Sequence, residues 1–140
     1  MKKSLRVLMV ASENDALVNC KVGGIGDVVR DVPGALASLR NTSCQVAVVV
    51  PSYGYLHEIP MPGELLKKVK YNFGGRIEEA SIFKVHAKKP QSGVTHYVIH
   101  HPSFKYIDPV SKQPRIYFDD PPKRPFATDA TKFARFCAAV

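Results

Sequence analysis

The segment KVGGIGDVV, residues 21–29, constrains the fold of this chain more than any other. It follows an apolar run, residues 5–11, after a short polar connection, and it opens a helical pattern. Three glycines in four positions permit backbone turns and a close ligand approach that larger residues prevent. The N–H groups at the start of the helix favour an anion, and Lys21 adds a positive charge beside them. The segment predicts either a loop that binds a phosphate or sugar hydroxyl, or a tight strand-to-helix turn without a ligand.

The order of the glycines argues against two common nucleotide sites. A dinucleotide fingerprint has the pattern G-x-G-x-x-G, but counting from Gly24 and Gly26 the third position is Val29. No acidic residue closes the second apolar run, where residues 50–52 read Val-Pro-Ser. A P-loop places its lysine after the glycines, whereas Lys21 precedes them. NAD binding and ATP hydrolysis are therefore poor hypotheses.

The first third of the chain has a strand–helix–strand pattern. Residues 5–11 and 45–50 are short and almost continuously apolar, which is typical of buried strands in a parallel sheet. Between them, apolar residues recur near helical spacing and predict one apolar helix side. That side carries Val28, Val32, Leu36 and Leu39, and Val29 and Ala35 flank it. Pro33 predicts either a kinked helix or a second helix beginning there, and Asn41 is expected to close the element.

After residue 65, apolar and polar residues first alternate, and the sequence then becomes rich in proline and irregular. Residues 66–87 predict a hairpin with a Gly-Gly turn, and residues 94–100 predict a further strand. Residues 102–126 contain six prolines and predict a long, mobile, irregular loop. Thr128 or Asp129 is expected to cap a last helix. The apolar stripe predicted for that helix consists of Phe133, Phe136, Cys137 and Val140.

Composition narrows the classes of function. The net charge of +8 permits a nucleic-acid partner, but the basic residues are scattered in short pairs, without zinc-finger spacing or an RRM-type aromatic signature. A basic face would equally suit nucleotide-sugar phosphates. The odd number of cysteines and the lack of a C-x-x-C pair predict plain thiols for Cys20, Cys44 and Cys137. No apolar run approaches the roughly 20 residues of a membrane span, and we expect a cytoplasmic protein.

Two groups of polar residues could indicate a metal site or a catalytic carboxylate pair, but their spacing argues against both. His96 and His100 would share one face of a strand while His101 points away, and no carboxylate stands at useful spacing for zinc. We therefore expect no metal, and we expect the histidines to line the carboxyl edge of the strand. Asp119 and Asp120 lie between prolines and predict a solvated loop rather than a catalytic carboxylate pair.

Several segments resemble the N-terminal part of bacterial glycogen synthases and plant starch synthases. The family pattern K-[TV]-G-G-[LI]-G-D-V-V matches the glycine segment, and A-S-E, V-x-x-P-x-Y, I-Y-G and R-F-A-x-F-[SC]-x-A-A match others in whole or in part. The matching segments are VASE at 10–13, KVGGIGDVV at 21–29, Pro33, ALA at 35–37, VVVPSY at 48–53, IY at 116–117 and KFARFCAA at 132–139. The match is dense over residues 5–55, weak over 56–115, and resumes near the C-terminus.

The resemblance implies an α/β fold with a Rossmann-like parallel sheet, flanking helices and an inserted β-hairpin. It would be the first part of the N-terminal domain of a GT-B glycosyltransferase, which has two Rossmann-like domains facing a cleft. Residues 1–140 would then be a single truncated catalytic domain that lacks its C-terminal, nucleotide-binding partner domain.

The resemblance also implies an activity, the retaining transfer of glucose from ADP-glucose to the non-reducing end of an α-1,4-glucan without a cofactor. By motif, Lys21 would lie near the nucleotide-sugar phosphates and Asp27 near sugar hydroxyls. Gly23 and Gly24 would shape the loop over the donor and acceptor. No catalytic residue is assigned, and the fragment alone is expected to be inactive.

Two alternatives remain open from the sequence. The chain could be a non-catalytic carbohydrate- or nucleotide-binding module that keeps the glycine loop. A basic protein that binds nucleic acid is a weaker third hypothesis, since the charge is dispersed.

Overall fold

The computed structural model of the protein describes residues 3–40 and 42–140, and these residues form five strands and two helices. In chain order the elements are β1 (Lys3–Val10), α1 (Gly24–Ala37), β2 (Thr42–Pro51), β3 (Glu64–Phe73), β4 (Arg76–Val85), β5 (Val94–His100) and α2 (Ala127–Ala139). A single 3₁₀ turn, Pro102–Phe104, follows β5. Within the described residues, neither helix is long and apolar enough to cross a bilayer.

All five strands join one mixed sheet in the order β1-β2-β5-β4-β3. β1, β2 and β5 run parallel, whereas β3 and β4 form an antiparallel hairpin that adds to β5 through β4. Gly74 and Gly75 make the hairpin turn with φ angles of 58° and 76°, a region that favours glycine. The predicted parallel strand–helix–strand unit and the inserted hairpin are thus confirmed.

The two helices cover opposite faces of this sheet. α1 packs through Val29 against Val46 and Val48 of β2. α2 packs through Phe136 in a cluster that includes Val49. Val48 and Val49 are neighbours in β2, so their side chains point to opposite faces of the sheet. A third cluster, around Val50, Tyr53 and Val98, lies at the carboxyl end of the parallel strands. That cluster supports the loops described below.

The apolar side predicted for α1 is buried only in part, at Leu36 and at its flank, Val29. The helix buries Gly26, Val29 and Pro33, while Val28 is 56% exposed and Val32 is 37% exposed. The buried positions are spaced by three and four residues, and they lie on the side that Gly26 brings against the connection after β1. The tertiary contact of Gly26 therefore decides the orientation that periodicity left ambiguous.

α1 continues as one helix through Pro33, so the interpretation with a second helix beginning there is wrong. The helix ends at Ala37, and Asn41, its expected end, lies outside the described residues.

The apolar run at residues 5–11 lies in a strand as predicted, except for its last residue, but the strand is not buried on both faces. Among the residues that the structure describes, β1 is an edge strand with a neighbour on one side only, and Leu5, Leu8 and Val10 are each about half exposed. Val7 and Met9 are the β1 residues that pack beneath α1. A continuous apolar run thus indicated the strand but not its position in the sheet.

The Pro-rich segment is irregular, as predicted, apart from the 3₁₀ turn and an isolated bridge between Ile107 and Pro114. It is nevertheless anchored, because Phe104 is fully buried and Ile116 is only 3% exposed. Mobility of the segment stays a prediction.

The predicted cap of α2 is wrong. Phe126 occupies the N-cap position, and neither Thr128 nor Asp129 caps the helix through its side chain. Asp120 does so from outside the helix, since its carboxylate accepts hydrogen bonds from the Thr128 amide at 2.8 Å and the Thr128 hydroxyl at 2.6 Å. A carboxylate beside the first helical N–H groups stabilises them. Asp120 therefore has a structural role, while Asp119 is exposed as expected.

The apolar stripe predicted for α2 is also partly wrong. Phe136 is buried and Phe133 is half-buried, but Cys137 and Val140 are exposed. The buried face instead consists of Asp129, Lys132, Phe136 and Ala139. A buried lysine and aspartate on this face cannot be read from apolar periodicity, because each depends on its partner.

Candidate functional site

A buried carboxylate holds the glycine segment in place. Glu13, just after β1, is 3% exposed, and its Oε2 accepts hydrogen bonds of 2.7 Å from the amides of Val22 and Gly23. Its Oε1 accepts a 2.7 Å bond from the Tyr117 hydroxyl. Burial by itself raises the pKa of Glu13, but the bonds from Gly23, Val22 and Tyr117 outweigh it and keep that pKa below its ordinary value.

Two of the amides expected to attract a ligand anion are therefore already bound by the protein's own carboxylate. No acceptor in residues 3–40 or 42–140 hydrogen-bonds the amides of Gly24 and Ile25, the first two residues of α1. An anionic ligand at this loop would meet those two amides and the Lys21 ammonium rather than Val22 or Gly23. The sequence signal for Glu13 was an acidic residue at the carboxyl end of a parallel strand, where open α/β sheets bind ligands.

None of the three glycines has a left-handed backbone angle, and of the three only Gly26 is closely packed. Gly23 has an extended φ of −128°. A Cβ on Gly26 would lie 3.0 Å from Lys21 Cγ and 3.4 Å from Glu13 Oε2, whereas a Cβ on Gly24 would meet no atom within 4 Å. The expected backbone turn barred to other residues is thus not what requires glycine here. Gly26 allows the loop to fold against Glu13, and Gly24 leaves open space.

Lys21 and Asp27, which the sequence placed in one site, are in contact. Lys21 Nζ lies 2.7 Å from Asp27 Oδ1, and both side chains are 40% exposed. Arg30 contacts the same Asp27 oxygen at 3.0 Å and also pairs with Asp15 and Asp31. Exposed pairs of this kind contribute little stability. The network orients the Lys21 ammonium while leaving it accessible to solvent.

A groove of about 330 Å³ separates the glycine segment from the Pro-rich segment. Its lining residues are Asn19, Lys21, Val22, Pro114, Arg115, Ile116 and Tyr117. The Tyr117–Glu13 hydrogen bond joins the two walls. The groove therefore borders the Lys21 side of the glycine loop, and its charged lining residues are both cations.

Lys132 holds the Pro-rich side of this groove, because it binds the backbone of the lining residue Ile116. It is 2% exposed, and its Nζ donates to the Ile116 carbonyl and, at 2.6 Å, to Asp129 Oδ1. Four aromatic rings lie 4.7–5.9 Å from the ammonium: Tyr53, Tyr117, Phe118 and Phe133. Burial lowers the pKa of Lys132, and the hydrogen bond to Asp129 opposes that shift. In the sequence, Lys132 is notable only as part of the segment that resembles the synthase family, since no local pattern indicates a buried lysine.

The histidines are placed as predicted relative to one another. His96 and His100 lie on one face of β5, where His96 Nδ1 is 3.0 Å from Asn14 Nδ2 and His100 Nδ1 is 2.9 Å from Ser52 Oγ. His101 lies on the other side, against Phe104. Burial lowers the pKa of all three imidazoles. Across the described residues, no three His, Cys, Asp or Glu side chains converge as metal ligands would.

The cysteines are unpaired thiols within the described chain. Cys20 and Cys44 are buried, and Cys137 is exposed. Burial raises the pKa of Cys20 to about 12, so its position beside Lys21 does not yield a reactive thiolate.

Comparisons with known proteins agree on one family. The family model described as the starch synthase catalytic domain matches residues 6–140. A glycogen synthase of Gloeobacter violaceus is 32% identical over 100 residues, which are 71% of this chain and 19% of that protein. Soluble starch synthase 2-2 of Oryza sativa subsp. japonica is 38% identical over 79 residues, 56% of this chain and 10% of that protein. The chain thus spans a fifth or less of the length of these relatives.

The fold is similar to that of a solved structure. The catalytic domain of starch synthase IV from Arabidopsis thaliana, bound to ADP and acarbose, superimposes with a TM-score of 0.63 at 20% identity. The similarity covers 98% of this chain and 24% of that one. It supports the α/β fold with a Rossmann-like sheet that the sequence predicted.

Proposed function

This chain belongs to the family of starch synthase catalytic domains, and we propose that it forms the first part of the N-terminal domain of a GT-B glycosyltransferase. The proposed reaction is the transfer of glucose from ADP-glucose to the non-reducing end of an α-1,4-glucan, with retention of configuration and without a metal. Support comes from the glycogen and starch synthase relatives and from a structural neighbour described as bound to ADP and acarbose. The cytoplasmic location predicted from the sequence belongs to this proposal, and imaging of the tagged protein in its own cells tests it.

The observation that carries the proposal is the position of Lys21 beside a preorganised loop. Glu13 fixes the amides of Val22 and Gly23, and Asp27 holds the Lys21 ammonium at the border of the groove. During transfer, the bond between the anomeric carbon and the diphosphate oxygen breaks while a bond to the acceptor hydroxyl oxygen forms, and the hydroxyl proton passes to the departing ADP. Negative charge then grows on the departing ADP, and a preoriented ammonium stabilises it.

The other predicted site residues have defined places in this proposal. Gly23 begins α1 as its N-cap, and the open space at Gly24 leaves room for a ligand against the backbone. Asp27 holds Lys21 and presents its second carboxylate oxygen to a sugar hydroxyl. The remaining part of the cleft, including the nucleotide-binding half, belongs to a C-terminal domain outside residues 1–140.

Two measurements test the proposal. Residues 1–140 alone should transfer no glucose from radiolabelled ADP-glucose to glycogen, because half a cleft cannot enclose the donor. In a complete catalytic domain that contains this chain, Lys21→Ala should lower kcat about 10- to 100-fold, since a charge-assisted contact contributes about 2–3 kcal/mol. KM for ADP-glucose should change less, because the contact strengthens in the transition state.

The matched control is Lys123→Ala, which removes an exposed lysine outside the groove. A kcat within twofold of wild type for Lys21→Ala would refute the assigned role. If the complete polypeptide bound ADP-glucose or maltooligosaccharides without turnover, the chain would instead be a non-catalytic binding module.

A further inference from the structure

We propose that Arg115 and Lys21 form a two-cation clamp for a diphosphate in the groove between the glycine and Pro-rich segments. Arg115 would then be a binding residue that sets the charge preference of the site. The identity of the ligand, a nucleoside diphosphate, rests on the proposed function. The clamp itself rests on the geometry and charge of the groove.

The groove has only cations among its charged lining residues. Of its seven lining residues, two are cations and none is a carboxylate. The groove beside Arg30 is different, since Asp15 and Asp31 line it together with its cations. Lys21 and Arg115 each pair with one carboxylate, Asp27 and Asp108, but neither carboxylate lines the groove. A cleft lined by one sign of charge concentrates ions of the opposite sign. An anion in the groove would therefore meet two cations whose partner carboxylates lie outside the lining.

Arg115 is held rigidly enough to act as one side of such a clamp. Its amide donates to the Tyr106 carbonyl at 3.0 Å, and the next residue, Ile116, is buried and bound through its carbonyl by Lys132. The backbone on which the guanidinium stands is thus fixed on both sides.

The guanidinium keeps donors available for a ligand. Arg115 Nη2 lies 3.0 Å from Asp108 Oδ2, and the Arg115 side chain remains 51% exposed. Asp108 is itself fixed, because its other oxygen accepts hydrogen bonds from the amides of Val110 at 3.0 Å and Ser111 at 2.6 Å. The ion pair therefore orients the guanidinium through one nitrogen, and the other N–H groups can bind phosphate oxygens.

The two cations have complementary chemistry for a diphosphate. The planar guanidinium of Arg115 matches two oxygens of one phosphate, whereas the compact ammonium of Lys21 acts as a point charge. A diphosphate presents two phosphate groups and several negative charges, so that each cation can meet one group. A neutral sugar or a single carboxylate would use only one of the two.

The test uses the 140-residue chain and inorganic pyrophosphate as the probe. Binding is followed by amide chemical shifts in NMR titrations at low salt, and the unperturbed shifts far from the groove report whether each variant is folded. Arg115→Gln should weaken pyrophosphate binding about fivefold or more, since it removes a charge-assisted contact. Lys21→Gln should weaken it by a similar factor. The matched control is Arg124→Gln, which makes the same change of charge outside the groove and should leave binding unchanged.

Each other outcome has a defined meaning. If Lys21→Gln weakens binding and Arg115→Gln does not, the clamp is overturned while the proposed function stands. If Arg124→Gln weakens binding as much as Arg115→Gln, the effect is one of net charge and the clamp is overturned. If pyrophosphate binding depends on both cations but ADP-glucose does not compete with pyrophosphate in the complete catalytic domain, the clamp stands and the proposed donor is wrong. Absence of pyrophosphate binding to the folded wild-type chain also overturns it.

Discussion

Replacing Glu13 tests how the glycine loop is held. The carboxylate accepts three hydrogen bonds of 2.7 Å, from the amides of Val22 and Gly23 and from the Tyr117 hydroxyl. Glu13→Gln keeps the shape and allows a single oxygen to accept both amides, while its amide nitrogen donates to Tyr117. Glu13→Ala leaves all three donors without a partner at a position that is 3% exposed in the wild type.

The two substitutions should therefore differ in magnitude. Glu13→Gln loses the charge assistance, and it should lower the free energy of unfolding by about 2 kcal/mol. Glu13→Ala leaves donors desolvated at about 1–3 kcal/mol each, so its loss should exceed about 3 kcal/mol even if water enters the cavity. Tyr117→Phe should cost about 1–2 kcal/mol, and its effect should shrink in the Glu13→Gln background because the two groups share one bond.

Urea unfolding across a range of pH measures these effects. The pKa of Glu13 is lowered in the folded state, so its contribution is fully present above the ordinary value of 4.5 and is lost as the pH falls through the folded pKa. The difference in stability between wild type and Glu13→Gln should be constant at about pH 6 to 8 and decrease below pH 4.5.

Two results would refute this reasoning. Equal losses for Glu13→Gln and Glu13→Ala would show that the amides need no partner. If the difference in stability between wild type and Glu13→Gln grew on acidification, the surroundings of the carboxylate would destabilise its charged form rather than stabilise it.

Three further predictions follow from the packing. In thermal unfolding, Gly24→Ala should stabilise the chain by about 0.4–1 kcal/mol because its Cβ meets open space. Gly26→Ala should gain less because its Cβ would lie 3.0 Å from a lysine side chain, and the opposite order would contradict the packing. In urea unfolding, Lys132→Met should cost about 3–5 kcal/mol by leaving its buried carboxylate partner uncompensated, and a loss below about 1 kcal/mol would disprove this. Amide exchange should be slow at residues 46–50, in a central strand, and fast at residues 119–125, and similar protection in both would show that the Pro-rich segment is misjudged.

Local signals in the sequence were sufficient for the order and type of most elements. The apolar runs at 5–11 and 45–50 became β1 and β2, and the alternating segments became the hairpin and β5. Such signals depend on neighbouring residues: side-chain alternation of period two marks a strand, and a Gly-Gly pair allows the tight turn between strands. The resemblance assigned Lys21 and Asp27 to one site, but their ion pair was not predicted.

What the sequence determined by itself was therefore the chain of elements and the position of the glycine loop between the first two. Only the tertiary structure decided that Glu13 accepts hydrogen bonds from the amides of that loop and that Lys132 is buried. It also decided that Tyr117, 104 residues away in sequence, donates a hydrogen bond to Glu13. It also decided which side of α1 faces the sheet, because Val28 and Val29 are equally apolar and their burial depends on what each meets. Local propensity fixes the conformation of a segment, whereas burial, charge pairing and capping depend on which distant surfaces come together.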